Sequence, residues 1–153
     1  MVKVFFGCAM RGGYSFVSRE ELARFPDAIE EMGFEVISRH QTQEDWKQKE
    51  SQLGKKEVHD RDFGWLKEAD CGVFEISNPS LGVGAEIADA VHLGKPVLCL
   101  YKKGLGDKVS AYIRGKEGSK HVHTAFRASE YSSLEDAKKK IARFVDSTLR
   151  QKK

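Results

Sequence analysis

Short apolar runs alternate with amphipathic segments along nearly the whole chain. Residues 2–6, 34–38, 71–76, 97–101 and 122–126 have the length and β-branched or aromatic content of buried strands. Between them, apolar positions recur at helical spacing, as in Leu22, Phe25, Ile29 and Met32. Strands and helices in alternation require a parallel sheet covered on both faces. The chain is therefore expected to form a doubly wound, Rossmann-like or flavodoxin-like α/β domain of three layers, with five parallel strands. Its 153 residues suit one domain over 1–150, followed by a basic tail at 151–153.

Local signals place the boundaries. Ser18-Arg-Glu-Glu21 is a capping-box pattern, with Gly33 as the stop of the helix it begins. Pro26 lies within that helix, where a kink or restart is expected. A second box, Ser132-Ser-Leu-Glu135, begins a C-terminal helix with Ala137, Ile141, Phe144 and Val145 on its apolar face. Residues 39–54 are polar and read as a long loop, and 55–69 as a helix. The turn from Asn78 to Gly84 opens another helix through Leu93.

In open sheets of this kind, ligands bind beyond the carboxyl ends of the strands, where strand order reverses. That rule selects the loops at 7–15, 77–86 and 102–113. The first, Gly7-Cys-Ala-Met-Arg-Gly-Gly13, combines glycines that permit close backbone approach with an arginine fork for an anion. It is neither G-x-G-x-x-G nor a P-loop. The second, Ser80-Leu-Gly-Val-Gly-Ala-Glu86, leads into a helix whose free N–H groups favour phosphate. Glu86 stands in or near the first turn, where an acid is also favourable structurally. The neighbouring Ile87, Ala88 and Val91 are apolar, so its carboxylate would be partly desolvated and more nucleophilic. Asp62 shares a helical stripe with Val58, Trp65 and Ala69, and an acid there needs a partner or a function. Two carboxylates at one cleft can cleave a glycosidic bond, and an adjacent anion loop suggests a phosphorylated sugar.

Composition narrows the classes. Lys and Arg total 26 against 23 Asp and Glu, a net +3, too weak to argue for a nucleic-acid polymer. Cys8, Cys71 and Cys99 are odd in number with no CxxC pair, which suits a reducing compartment. No apolar window reaches the ~18 residues of a membrane span. The five histidines lack metal-ligand spacing; His121 and His123 alone could share a strand face.

At these residues the chain resembles the 2′-deoxynucleoside 5′-monophosphate N-hydrolases, within the wider nucleoside 2-deoxyribosyltransferase family. The matching segments run from Phe5-Phe-Gly-Cys-Ala-Met-Arg-Gly-Gly13 through His59-Asp-Arg-Asp62 and Pro79-Ser-Leu-Gly-Val-Gly-Ala-Glu86 to Ser110-Ala-Tyr-Ile-Arg-Gly115. The resemblance implies a homodimer that hydrolyses nucleoside 5′-monophosphates to free base and sugar 5-phosphate, without metal or cofactor. It implies Glu86 as nucleophile, through a glycosyl-enzyme intermediate, and Asp62 as the second catalytic acid. Phe5, Gly7, Ala9, Met10, Arg11, Gly12, Ser80, Gly82, Ser110 and Tyr112 become expected substrate contacts, with Ser110 serving the neighbouring subunit's site. Phe5 stands where the deoxynucleotide branch has tyrosine and a CMP-cleaving branch has phenylalanine. Deoxynucleotides are the first expectation; a CMP-type ribonucleotide hydrolase or a nucleoside 2-deoxyribosyltransferase are the alternatives. The expected compartment is cytoplasmic or, in a eukaryote, nuclear.

Overall fold

The computed structural model describes residues 1–10, 15–39 and 45–150. Five parallel strands form one sheet in the order β2-β1-β3-β4-β5. They are β1 (Lys3–Gly7), β2 (Glu35–Val36), β3 (Cys71–Glu75), β4 (Val97–Lys102) and β5 (Phe126–Tyr131). Order reverses between β1 and β3, which pair from Val4↔Cys71 to Gly7↔Phe74. This is the doubly wound α/β arrangement expected from the strand–helix alternation.

Six α-helices and a short 3-10 helix (Gly106–Lys108) accompany the sheet: α1 (Arg19–Glu31), α2 (Trp46–Ser51), α3 (Lys55–Glu68), α4 (Leu81–His92), α5 (Ala111–Arg114) and α6 (Leu134–Thr148). The sheet residues Val4, Phe6, Val73 and Leu98 bury one face with Phe25 and Ile29 of α1 and Ile141 and Phe144 of α6. Phe5, Phe74, Val97 and Cys99 bury the other with Leu66 of α3 and Ile87 of α4. Alternate residues of each strand thus feed opposite cores, as the two-residue period of a strand requires.

Several boundaries differ from expectation, each for a local reason. The backbone ladder of β2 covers two residues, because the Ser38 hydroxyl takes over beyond it: Phe6 N–H donates to Ser38 Oγ at 2.9 Å, and that hydroxyl donates to Phe6 O at 2.7 Å. β5 lies at Phe126–Tyr131 rather than 122–126. As an edge strand it buries Phe126 and Tyr131 and leaves the residues between them part-exposed or exposed, so it has no continuous apolar run. Within 39–54 there is a helix, α2, anchored by the buried Trp46; residues 40–44 lie outside the described residues. Helix α1 runs unbroken through Pro26, whose flanks Phe25, Ala28 and Ile29 are buried. Its capping box forms as expected, whereas that of α6 is shifted by one: Ser133 Oγ accepts from Asp136 N–H, and Asp136 accepts from Ser132 N–H. The tail at 151–153 lies outside the described residues.

Candidate active site

Helix α4 begins at Leu81, inside the glycine-bearing segment expected to be a turn. Ser80 is its N-cap, accepting from Val83 N–H at 3.2 Å, so Gly82 and Gly84 lie inside the first turns. Glu86 therefore sits in the second turn, past the positions where an acid merely complements the helix dipole. Its side chain reaches back over the carboxyl end of β1. A Cβ on Gly7 would stand 3.0 Å from Glu86 Oε2 and 2.6 Å from the Phe74 ring, so only glycine allows this approach. The carboxyl of Glu86 thus lies at the switch point between β1 and β3.

Among the described residues, no hydrogen bond or cation is shown that favours the ionised form of that carboxyl. Oε2 is sealed from solvent and has no hydrogen-bond partner among the described residues. Desolvation pushes the Glu86 pKa up to about 8, and the negative charges of Asp62, Asp89 and Glu50 push the same way. A buried acceptor left unpaired is costly, and such cost persists where a ligand completes the site.

Asp62 projects from α3 close enough for its charge to bear on Glu86. Its side chain is 18% exposed, and burial raises its pKa while the Arg61 guanidinium opposes the rise. The inner line of α3 is carried by Leu66 and Ala69, both 1% exposed, with Val58, Asp62 and Trp65 half-buried beside them. The aspartate stands at the edge of the apolar stripe rather than within it.

A cleft of about 920 Å3 opens beside Glu86. Cys8, Met10, Ser80, Gly82, Ser110 and Tyr112 are among its lining residues, together with Lys108 and Lys116. The structure thus brings four of the expected contact loops' side chains and Gly82 to one opening. Ala9 is buried behind it. Phe5 is fully buried, its ring 5.8 Å from that of Phe74, beneath the cleft rather than on its wall. Ser110 caps α5, accepting from Ile113 N–H at 3.3 Å, and faces the cleft of its own chain. Arg11 and Gly12 lie outside the described residues.

Some participants carried no sequence signal. Asn78, 4% exposed, accepts from Phe16 N–H and Val17 N–H and donates to Val17 O at 2.8 Å, tying the β3–α4 loop to the end of the first loop. Glu50 belongs to the stretch read as a loop. The Asn78-Pro79 pair marks a turn, but nothing in it announces a clamp.

Residues 8–112 match the nucleoside 2-deoxyribosyltransferase family, and the chain belongs to it. A 5-hydroxymethyl-dUMP N-hydrolase of Mus musculus is 33% identical over 97% of this chain and 82% of its own length. A 5-hydroxymethyl-dUMP N-hydrolase of Danio rerio is 33% identical over 74% of this chain and 78% of its own. The solved structure of the Clostridium botulinum CMP N-glycosidase BcmB superposes with a TM-score of 0.63, at 22% identity, covering 93% of this chain and 98% of that one, and shows the shared fold.

Proposed function

We propose that this protein hydrolyses the N-glycosidic bond of nucleoside 5′-monophosphates, releasing free base and a sugar 5-phosphate, with 2′-deoxynucleotides preferred. The observation that carries this reading is the unpartnered Oε2 of Glu86, held at the switch point beside an open cleft. The names of the mouse and zebrafish relatives point to the same chemistry.

In the ionised enzyme, a Glu86 oxygen attacks C1′ as the bond from C1′ to the base nitrogen breaks. The bonding pair leaves with the base, which takes a proton delivered through Asp62. Water then adds to C1′, the ester bond to Glu86 breaks, and the departing proton returns to the acid pair. The raised pKa of Glu86 makes its carboxylate a stronger nucleophile than a solvated one. Binding the sugar over Gly7 supplies the electrophile that this buried oxygen lacks.

Ser80, the amides near Gly82, and Arg11 are proposed to hold the phosphate and sugar, and Ser110 to serve the site of a second copy. Leu81, 97% exposed, and Tyr112, 82% exposed, give the cleft rim an apolar surface that supports a homodimer packed there. The three buried, unpaired cysteines accord with a cytoplasmic setting. Among the described residues, no helix is long and apolar enough to cross a membrane.

The test is to incubate the protein with deoxy- and ribonucleoside monophosphates and measure released base. Release from deoxynucleotides is expected; none from any nucleotide overturns the reading. A second reading, cleavage of ribonucleotides, is favoured by Phe5, which offers no hydroxyl at the sugar end of β1. Faster release from CMP than from dCMP selects it.

A further inference from the structure

Arg61, the neighbour of Asp62 on α3, joins that helix to α2. Its Nε donates to Asp62 Oδ1 at 3.0 Å, and its Nη2 stands 2.9 Å from the same oxygen. Nη2 also donates to Glu50 of α2. The guanidinium lies over the Trp65 ring, 4.8 Å from its centroid. The three charged side chains are well shielded: Arg61 is 21% exposed, Glu50 12% and Asp62 18%. The Nε hydrogen bond and the close Nη2 charge both fall on Oδ1 and orient the carboxyl. Oδ2 makes no hydrogen bond among the described residues.

We infer that Arg61 is a positioning residue for Asp62: it occupies Oδ1, leaves Oδ2 as the open oxygen of the carboxyl, and fastens α2 to the helix of Asp62 through Glu50. The inference rests on the nucleotide-hydrolase reading for what Oδ2 does, not for the contacts themselves. The planar fork and the stacking on Trp65 suit arginine and not lysine, which would bring one point charge without the fixed plane. Such a support behind a reacting group sets orientation and charge together.

The electrostatic setting makes the arrangement consequential. Asp62 faces Glu50 from α2, Glu86 from α4 and His59 on its own helix, while Asp89 adds a further negative charge beside Glu86. Glu50 and Asp62 therefore share the Arg61 guanidinium, and the charge of Asp62 in turn bears on Glu86. Removing the guanidinium leaves Asp62 without the cation that opposes its desolvation, so its carboxyl holds its proton to higher pH.

The experiment compares wild type, Arg61→Gln and Arg61→Lys. The Asp62 carboxyl is titrated by side-chain carbon NMR, amide exchange is measured over Trp46–Ser51, and the pH dependence of base release is recorded. In Arg61→Gln the Asp62 midpoint is expected to rise by about one pH unit or more. Exchange over Trp46–Ser51 should quicken, and the limb of the activity profile set by Asp62 should move alkaline with its midpoint, with little change in KM. Arg61→Lys should hold the charge and restore the midpoint, but only part of kcat. An Asp62 midpoint unchanged in folded Arg61→Gln overturns the inference. If wild type releases no base from any nucleotide, the hydrolase reading falls, while the titration and exchange arms still decide the role of Arg61.

Discussion

Glu75 ends β3, and Glu86 occupies the second turn of the helix that follows it. Burial raises the pKa of both carboxyls, and the charges of both bear on the Cys8 thiol, itself pushed up to about 12 mainly by desolvation. Their hydrogen bonding separates them. Glu75 is 2% exposed and accepts from Ser77 N–H, the Ser77 hydroxyl and the Tyr131 hydroxyl. The Ser77 hydroxyl in turn accepts from Lys102 N–H, so the carboxyl ends of β3, β4 and β5 are sewn together. Glu86 has an oxygen with no donor at all among the described residues. A saturated buried carboxylate holds a fold; an unsaturated one is held by the fold, at a cost, for something else to meet.

Exchanging the acids tests that distinction most sharply at the level of rate. Glu86→Gln keeps the volume and removes the nucleophile, and base release is expected to fall by at least about a thousand-fold in kcat. A loss smaller than ten-fold would mean that Glu86 does not attack the sugar. Stability should show the reverse ranking. Glu75→Ala leaves the Tyr131 hydroxyl and the Ser77 donors unpaired around a new cavity, and is expected to cost roughly 3 kcal/mol in denaturant unfolding. Glu86→Gln should cost nothing, or stabilise.

The pH dependence sharpens the same contrast. Glu86 has a folded pKa of about 8 against an ordinary value of 4.5. Between those limits the unfolded chain has released the proton that the native state still holds. The native state therefore loses stability as pH rises from 4.5 to 8, and the penalty is complete above 8. Glu86→Gln should be more stable than wild type by about 1–3 kcal/mol at pH 9 and nearly equal to it at pH 5. Over the same range kcat/KM of wild type should climb, as the free enzyme's nucleophile ionises. A profile already flat from pH 5 upward would show that another group, bound or nearby, neutralises the cost first.

The doubly wound sheet was legible because its strands are buried on both faces and read as apolar runs. The elements without such a signal are polar. β5 pairs along one edge only, so its sequence is Phe126-Arg-Ala-Ser-Glu-Tyr131 and resembles a turn. Helix α2 is short, with Trp46 as its one buried anchor. Glu86 and Asp62 were legible as acids beside apolar neighbours, and Ser80 as a serine ahead of two glycines. Their relation to Glu50, Arg61 and Asn78 depends on contacts between elements far apart in sequence or on side-chain direction, and periodicity carries neither. The start of α4 is hidden in the sequence because Gly82 and Gly84 suggest a turn; Ser80 caps the helix ahead of them, and Gly84 packs against Ile113 with a gap that a Cβ would fill at 4.0 Å.

The smallest effect concerns Tyr131, whose hydroxyl donates to Glu75 across the ends of β3 and β5. Its ring meets Phe25 edge-on, 5.5 Å between centroids, in the core on the α1 and α6 side of the sheet. Tyr131→Phe keeps that packing and removes one of three donors. Glu75 then retains both Ser77 donors, so the loss should be about 1 kcal/mol rather than that of an orphaned charge. With less support for its ionised form, Glu75 should also titrate at higher pH. Base release should be unchanged, because Glu86 is fed by the opposite core, through Ile87 and Phe74. A ten-fold fall in kcat with KM intact would show instead that the two carboxyls communicate through Ser77 and the loop that leads to Ser80, and the division between a structural and a reacting acid would have to be withdrawn.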